Sequence, residues 1–590
     1  MVQNAVAFSN NDVITIAWSY GKKPSGCMGF ALYRIDEKKK ETPLPSHAVF
    51  KGFKIQKGQT TAEFPLQKFY WKDPYARLIA EKTGNRKFRY KVVPLQGKPG
   101  HLKPMANLPA IISNEVEISP AVKDGLKAFF NRGLISTQRV SRAFGGKPGK
   151  TPLLARVADM KDPLRASLSG DMVEAMTEFV DRAKTSGKIH AALYELGDEE
   201  LIRKLEKLGK RLNIVLSNSV VTDRKTKKKS DGNTAARTRL AKTAGGMWNR
   251  IMPNNQIGHN KFLVYTDKNG NAKAVLFGST NWTPTGLCTQ TNNTVVSEDT
   301  RLAKRYLEYW KKLAIDTSSA KGVPKSLQGV KLRTWNKNGK QFLDTGGSLD
   351  SWFSPNTPKL RGKTRKGEPC PPDMNALIKR INNAEHAVLF LAFYPGTPSI
   401  ANWAAKKAKE KKDLFVRGCV TNKSASEGFY YELKGMTPPK KKKGEKKPIK
   451  QDPRVIGAEA LDGKVIPIGW QKELLNAGFA IIHDKIVVID PFSDNCLVAT
   501  GSHNLGYKAS FNNDENLTFI AGNKPLALAY ATHVLDIYDH FAWRYLVKRS
   551  GKKGADQSLK STPDEWMDKY FDANGNVKVA QLKFWMQAKS

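Results

Sequence analysis

The chain has 590 residues, which is enough for about three or four domains. Its 40% hydrophobic and 9% aromatic content excludes wholesale disorder. Lys and Arg total 98 against 54 Asp and Glu, a formal net charge of +44, and this excess points to a polyanionic partner such as nucleic acid, an anionic membrane surface or a phosphate-bearing substrate.

Residues 1–120 have the pattern of a small all-β sandwich. In the run DVITIAWSY, apolar residues including Trp18 alternate with polar or small ones, which is typical of a half-buried strand. The run KFRYKVVPL alternates in the same way, and Gly/Pro turns separate the runs. The Trp18 strand and the Phe-x-Tyr-x-Val-x-Pro run resemble a fibronectin type III or immunoglobulin-like module.

From about residue 121 the pattern changes to alternating helices and strands, and it then repeats. The first series is a helix in DMVEAMTEFVDRAKTSG, strands in IHAALYEL, NIVLS and KFLVYTD, and a second helix and a long polar loop between them. A second series follows the same order, with strands in HAVLFLAFY, DLFVRGCV and KIVVID. The predicted fold class is α/β, with two pseudo-symmetric lobes after the sandwich. The predicted boundaries are 121–345 for the first lobe, 346–548 for the second and 549–590 for a C-terminal tail.

The two series share one motif at matching places. The first copy has His259 and Lys261 followed by Ser279 and Asn281 in Gly-Ser-Thr-Asn. The second copy reads His-Asp-Lys and Gly-Ser-His-Asn, and the His-to-Gly spacing is 19 residues in one copy and 18 in the other. Positions i and i+2 of a strand share a face, so each half presents an imidazole, an ammonium, a hydroxyl and an amide at one place. The residues of the second copy are His483, Lys485, Ser502 and Asn504.

This doubled set suits phosphodiester chemistry. Lysines and asparagines can neutralise and bind the non-bridging oxygens. A neutral imidazole can attack phosphorus, and a second imidazolium can give a proton to the leaving alkoxide. No metal-ligand spacing is present, and the sequence predicts neither a metal nor another cofactor.

The doubled motif resembles that of the phospholipase D superfamily, over roughly residues 121–545. The resemblance implies a bilobal α/β fold with one active site between the lobes and a covalent phosphohistidine intermediate. It assigns the nucleophile to His259 and the general acid to His483. Because both half-sites lie in one chain, it also implies a monomer.

The family pattern adds acidic and amide positions around each motif. Asp490 stands at the family's acidic position in the second copy, whereas Asp267 comes one residue late in the first, within an Asp-Lys-Asn-Gly turn. The family also places a carboxylate about thirteen residues after the motif Ser, which is Glu515 in the second half and Asn292 in the first. We expect Glu515 to bind His483 and raise its pKa, as a general acid needs, and Asn292 to hold His259 neutral.

Two lysine-rich segments, 223–242 and 438–450, precede the two His-x-Lys strands. Loops at this place in an α/β unit often border the ligand cleft, so the segments are candidates for an electrostatic funnel; surface loops without a role are the alternative. Neither segment contains an aromatic residue for base stacking, and lysine clusters serve anionic lipids equally well.

The sequence leaves the substrate open. A phospholipid headgroup is the favoured substrate, a metal-independent nuclease acting on DNA or RNA is the close alternative, and a non-enzymatic polyanion-binding protein is the third. No apolar run reaches the roughly 18 residues of a membrane span, and no signal peptide is recognised, so we expect a cytoplasmic protein or one exported without a Sec signal. Peripheral contact with an anionic membrane fits either location. Trp282 is either a substrate platform or core packing, and His503 is a candidate for the cleft wall.

Overall fold

The computed structural model describes residues 4–120, 122, 125–133, 151–222, 229–344, 346–362, 367–439, 449–458, 482–550 and 558–588. Within these residues the chain builds a β-rich N-terminal domain and then two α/β lobes, each on its own mixed sheet. The fold class predicted from the sequence is therefore confirmed.

The N-terminal domain consists of two antiparallel sheets and one helix, Ala76–Thr83. The strands are β1 Asn4–Ser9, β2 Ile14–Ser19, β3 Gly29–Ile35, β4 Glu41–Pro43, β5 Tyr70–Asp73, β6 Lys87–Lys98, β7 His101–Pro104, β8 Ile111–Ile112 and β9 Val116–Glu117. One sheet has the order β1-β2-β5, and the other has the order β4-β3-β6-β7 with β8 and β9 paired to β6. Trp18 and Phe30 meet edge to face between the sheets, with ring centroids 5.4 Å apart.

The first lobe follows, and its described residues form ten strands and several helices. The strands are β10 Leu126–Phe130, β11 Lys188–Leu193, β12 Leu212–Ser217, β13 Val220–Thr222, β14 Lys229–Asp231, β15 Gly246–Arg250, β16 Ile257–Gly258, β17 Lys261–Thr266, β18 Ala272–Gly278 and β19 Asn293–Ser297. The helices are Thr151–Ala158, Pro163–Ser169, Met172–Asp181, Glu199–Leu208, Thr234–Thr243, Pro284–Cys288, Thr300–Ser319 and, leading to the second lobe, Val330–Asn336. The main sheet has the order β10-β19-β18-β17-β11-β12-β15. In the helix Glu199–Leu208 the N-cap Asp198 accepts from the Leu201 amide, and the leucines that follow are buried along one stripe.

The second lobe is built in the same way. Its strands are β20 Lys340–Asp344, β21 Gly347–Ser354, β22 Ala387–Ala392, β23 Phe415–Val420, β24 Val455–Gly457, β25 Ile486–Ile489, β26 Leu497–Gly501 and β27 Asn513–Ala521. Its helices are Pro372–Asn382, Ile400–Glu410, Lys423–Lys434, Tyr507–Asn512 and Lys524–Ser550. The sheet has the order β20-β21-β27-β26-β25-β22-β23-β24.

The two lobe sheets have equivalent strands in the same order and direction. The parallel set β11-β12-β15 corresponds to β22-β23-β24, and the antiparallel set β17-β18-β19 corresponds to β25-β26-β27. Strand β16 leaves its own lobe and pairs in parallel with β27. The sequence repeat is thus a repeat of topology, with one segment crossing between the lobes.

One continuous apolar core joins the three domains. It contains the inner faces of both lobe sheets, the helices Thr300–Ser319 and Lys524–Ser550, and the N-terminal sheets. A second and a third core lie on the outer faces of the two lobes, under their remaining helices. Each sheet is therefore covered on both sides, as expected for α/β lobes.

The C-terminal segment is folded onto the rest of the molecule. Residues 558–588, to which the sequence assigned no role, end in the helix Ala580–Trp585. Trp566 packs against Phe30 and Phe69 of the N-terminal domain, and Trp585 packs against Tyr70. Trp585 also contacts the second lobe through its β23 strand. The segment links the first domain to the last lobe through buried aromatic side chains.

The described residues include part of the lysine-rich segments and all the helices that could be compared with a membrane span. No helix among the described residues is both long and apolar enough to cross a membrane. The lysine-rich residues 223–228 and 440–448 lie outside the described residues. In the described part of the first basic segment, Arg239 pairs with Glu199 and Glu206.

Candidate active site

The two motif histidines meet at the contact between the lobes. His259 lies between β16 and β17 of the first lobe, and its amide donates to the Asp514 carbonyl of the second lobe (2.9 Å). His483 precedes β25 in the second lobe, and its amide donates to the Thr291 carbonyl of the first (3.0 Å). The two ring centroids are 6.3 Å apart, and both residues are nearly inaccessible to solvent. Each histidine is thus held by the backbone of the opposite lobe.

The groups that orient the imidazoles are also exchanged between the lobes. Nδ1 of His259 lies 2.8 Å from the Glu515 carboxylate, and Nδ1 of His483 lies 2.8 Å from Oδ1 of Asn292. This is the reverse of the pairing expected from the sequence, which assigned Glu515 to His483 and Asn292 to His259. The expectation was wrong because each lobe's last strand, β19 or β27, reaches across the contact rather than back to its own histidine.

The motif serines support these orienting groups. Ser279 donates to Oδ1 of Asn292 (2.9 Å), whose amide nitrogen donates to the Gly286 carbonyl (2.8 Å). The Asn292 oxygen is therefore an acceptor, and His483 carries its proton on Nδ1. Ser502 hydrogen-bonds to Glu515 in the equivalent place. Both serines lie behind the imidazoles as buried supports.

The motif lysines occupy equivalent positions beside the histidines. Nζ of Lys261 donates to the His259 carbonyl (2.7 Å) and lies 5.1 Å from the centroid of the Tyr194 ring. Lys485 donates to the His483 carbonyl and lies 5.0 Å from the centroid of the Phe393 ring. Both lysines are buried. The structure brings two imidazoles and two ammonium groups into one enclosed place.

The electrostatics of this place favour an anion. Burial, together with the neighbouring lysines, lowers the pKa of His259 and of His483 well below the usual range. Burial lowers the pKa of Lys261 to about 7, and burial and Lys261 lower the pKa of Lys485. A bound anion would reverse these shifts because it favours the charged form of each group. The cluster is therefore poised to bind negative charge and to hold neutral imidazoles without it.

The two motif asparagines differ in their surroundings. Asn281 donates to the Glu195 carboxylate (2.5 Å), which also accepts from Ser219 (3.3 Å). Asn504, at the equivalent position, is partly exposed, and the second lobe has Tyr394 where the first has Glu195. Sequence reasoning missed Glu195 because it has no copy in the repeat. The available signal was an acidic residue two positions after the end of the buried strand β11.

The acidic position of the family motif lies away from the site. Asp490 is at the far end of β25, where its carboxylate accepts from the backbone amides of Glu385, His386 and Ala387 (2.7–2.8 Å). The sequence predicted Asp490 as a site residue, and this placement corrects that prediction. Asp490 instead fixes the start of β22. Asp267 accepts from amides within its own turn.

Two further residues are placed in the core. Trp282 is 1% exposed and belongs to the first lobe's outer core, so it packs and offers no platform. His503 is also buried, and its Nε2 lies 3.0 Å from Ser510 Oγ and 3.3 Å from Asp373. It supports the motif loop from behind. Among the described residues, no group of three or more His, Cys, Asp or Glu side chains is arranged to hold a metal ion.

Comparison with known families agrees with the first lobe's motif and topology. Residues 176–314 match the family model described as "Cardiolipin synthase, PLD-like domain". The match begins in the helix Met172–Asp181, ends in the helix Thr300–Ser319 and contains the first motif. This part of the chain is therefore a phospholipase D-like domain. No curated protein sequence matches the chain.

Solved structures that match the chain include members of the same superfamily. Phosphatidylserine synthase from Haemophilus influenzae is 14% identical, with 62% of this chain and 84% of that chain covered and a TM-score of 0.40. The phospholipase D family member Nuc from Salmonella typhimurium is 22% identical over 25% of this chain and 87% of that chain, with a TM-score of 0.20. A variant of yeast tyrosyl-DNA phosphodiesterase is 11% identical over 60% of this chain and 87% of that chain, with a TM-score of 0.32.

Proposed function

We propose that the chain is a phosphodiesterase of the phospholipase D type, with His259 as nucleophile and His483 as general acid. The observation that carries the proposal is the pair of buried imidazoles, 6.3 Å apart, each fixed through Nδ1 by the other lobe and each accompanied by a buried lysine. With Nδ1 engaged as a donor, the lone pair of a neutral imidazole is on Nε2, where it can react.

The different partners of the two histidines support different roles. Glu515 places a carboxylate beside His259, which can balance the positive charge that develops on the ring when Nε2 bonds to phosphorus. Asn292 gives His483 a neutral acceptor, so the imidazolium of His483 has no adjoining counter-charge and is the stronger acid of the two. The proposal keeps His259 as nucleophile and His483 as general acid, as expected from the sequence. The reason differs, because Glu515 lies beside His259 and Asn292 lies beside His483.

The proposed reaction has two balanced steps. Nε2 of His259 attacks phosphorus, the bond to the leaving oxygen breaks, and that oxygen takes the Nε2 proton of His483. Water then attacks phosphorus and gives a proton to His483, and the bond to His259 breaks. Binding of the phosphodiester anion raises the pKa of His483, because a nearby negative charge favours the protonated imidazole. His483 therefore carries the proton that the first step needs.

The favoured substrate class is the phospholipid headgroup ester. DNA or RNA is the second candidate, and the net charge of +44 is the observation that favours it. In either case Lys261, Lys485, Asn281 and Asn504 would bind the non-bridging oxygens, with no cofactor taking part.

The test compares substrates and one substitution. The protein is incubated with phosphatidylcholine vesicles, phosphatidylglycerol vesicles, single-stranded DNA and double-stranded DNA, each with EDTA, and the series is repeated with His259→Ala. Free headgroup that disappears with the substitution supports a lipid substrate, and nicked DNA that disappears supports a nuclease. Activity that survives His259→Ala, or no turnover of any substrate, would overturn the proposal.

The roles of the two histidines need a separate experiment. Rapid alkaline quench of the wild-type protein with a phosphorus-labelled substrate preserves an acid-labile phosphorus–nitrogen bond and is expected to leave the label on His259, read by peptide mass spectrometry. A label on His483 instead would reverse the assignment.

A further inference from the structure

Besides the Glu515 and Asn292 pair, the site departs from twofold symmetry at a second carboxylate. Glu195 lies two residues after the end of β11, and the residue two positions after the end of β22 is Tyr394, which is exposed. Tyr194 and Phe393, one residue earlier, keep equivalent contacts with Lys261 and Lys485. At this position the first lobe therefore contributes a carboxylate that the second lobe lacks.

Glu195 contacts a phosphate-binding candidate directly. One carboxylate oxygen accepts from the amide nitrogen of Asn281 (2.5 Å), and the other accepts from the hydroxyl of Ser219 (3.3 Å). The Asn281 backbone lies close by because the Trp282 amide donates to the Glu195 carbonyl (3.1 Å). These bonds leave the second N–H of the Asn281 amide free to donate in a fixed direction.

We propose that Glu195 is a positioning residue of the phosphate site, which fixes the Asn281 amide and favours the charged form of the neighbouring Lys261. The inference rests on the proposed phosphodiesterase function and extends it to a residue outside the repeated motif.

The charge around Lys261 explains why such a group is needed. The groups that face it are Tyr194 and His259 in its own lobe and Glu515, His483 and Lys485 from the other. Burial lowers the pKa of Lys261 to about 7, and Glu515 and Glu195 oppose that shift. Glu515, the larger of the two influences, is also bonded to His259, whereas Glu195 has no histidine partner among the described residues and can be changed without altering the histidine pairing.

The test measures anion binding as a function of pH. Sulfate keeps a constant charge between pH 5.5 and pH 9, so calorimetric titration with sulfate reports the protein's protonation alone. In Glu195→Gln, sulfate binding is expected to weaken at a pH about one unit lower than in the wild type, because an opposite charge has been removed from Lys261.

The same substitution has an opposite effect at low pH. Near pH 6 Lys261 is protonated in the wild type, and the loss of a negative charge leaves sulfate binding as strong as before or stronger. The wild-type to variant affinity ratio should therefore rise about tenfold between pH 6 and pH 8. Damage to the fold would weaken binding at every pH, so a rising ratio separates positioning from disruption.

Two further variants complete the design. Glu199→Gln removes the same charge from the nearby helix, where Glu199 pairs with Arg203 and Arg239, and is expected to keep the wild-type profile. Glu195→Asp keeps the charge with a shorter side chain and is expected to restore the pH profile more fully than the affinity. A Glu195→Gln profile that coincides with that of Glu199→Gln would overturn the inference.

The outcome is independent of turnover. Sulfate binding can be measured even if no phosphodiester is hydrolysed, so failure of the proposed function and failure of the Glu195 inference give different results. If bis(4-nitrophenyl) phosphate is hydrolysed, the alkaline fall of kcat/KM should move to lower pH in Glu195→Gln by the same amount as the binding curve.

Discussion

At the scale of single residues, the two histidines share a backbone setting and differ in one neighbour. Both amides bond to the opposite lobe, both Nδ1 atoms have a partner at 2.8 Å, and both stand beside a buried lysine. Glu515 and Asn292 alone distinguish the partners of Nδ1. The two imidazoles are otherwise matched, so the charge of Glu515 is the difference through which they could take different roles.

A carboxylate placed beside His483 as well should change the pH dependence of turnover. In Asn292→Asp, a carboxylate beside His483 raises the pKa of its imidazole from its lowered value, because an opposite charge favours the protonated form. The protonated fraction of His483 at pH 8 should rise, while its strength as an acid falls. We expect an alkaline limb of kcat/KM at higher pH and a lower kcat, measured with a chromogenic phosphodiester.

The converse substitution tests the nucleophile. Glu515→Gln removes the charge that we propose balances the phosphorylated ring of His259, and we expect kcat to fall roughly 10²- to 10⁴-fold, as when a histidine loses its orienting carboxylate. Single-turnover measurement should show the loss in formation of the labelled histidine. A larger loss in its hydrolysis than in its formation would contradict the assignment of Glu515 to the nucleophilic step.

The sequence predicted which residue types gather in the site but not how they pair. The doubled His-x-Lys and Gly-Ser-x-Asn runs identified both imidazoles and both lysines, because a repeat of i and i+2 positions fixes a shared face. The count of thirteen residues identified Glu515 and Asn292 but carried no information on which lobe each would enter. Glu195 was missed because it breaks the repeat on which the reasoning depended.

At the scale of elements, the segment before His259 depends on a buried ion pair between the lobes. Arg250 at the end of β15 binds Asp514 of β27 through two nitrogens (2.5 and 3.2 Å) and Asp316 through a third (2.8 Å). Asp514 is also the residue whose carbonyl receives the His259 amide. The pair therefore fixes the crossing of β16 onto β27 next to His259.

Loss of this pair should destabilise the protein strongly. Arg250→Met leaves the Asp514 carboxylate buried without its cation, at a cost of about 3–5 kcal/mol. The urea midpoint is expected to fall accordingly. Arg203→Met, which removes an exposed pair with Glu199 one helical turn away, should cost less than about 1 kcal/mol. Equal shifts for the two variants would contradict the importance of the buried pair.

Most elements were predicted to within a few residues because their apolar periodicity is strong. The helix expected in 171–187 is Met172–Asp181, and the strand expected in KIVVID is Ile486–Ile489. The hairpin β20–β21 was not foreseen, since it precedes the second copy of the repeat and looks like a polar connection. Its β21 strand completes the second sheet beside β27, in the place that β10 takes beside β19.

At the scale of the whole molecule, the C-terminal segment secures the N-terminal domain to the second lobe. A chain ended at residue 557 would uncover the aromatic pockets that Trp566 and Trp585 fill. We expect it to bind an apolar dye and to release the N-terminal domain to protease, while its site residues stay in place. An unchanged protease pattern would contradict the linking role.

A point substitution separates packing from chain length. Trp585→Ala should cost about 3–5 kcal/mol, since the side chain is 1% exposed. Met586→Ala, at the next and 38% exposed residue, should stay within roughly 0.5 kcal/mol of the wild type. Thermal unfolding followed by tryptophan fluorescence and circular dichroism measures both.

The exchange of orienting groups between the lobes has a consequence for how such a protein can change over generations. A substitution at Glu515 is felt by a histidine coded 256 residues earlier, and one at Asn292 is felt by a histidine coded 191 residues later. Neither half can change its site alone, because each contains one of the two histidines and the group that orients the other. The two halves of the gene are therefore expected to co-vary as one unit, and a hybrid of halves from distant relatives should fold lobe by lobe and still fail at the shared site.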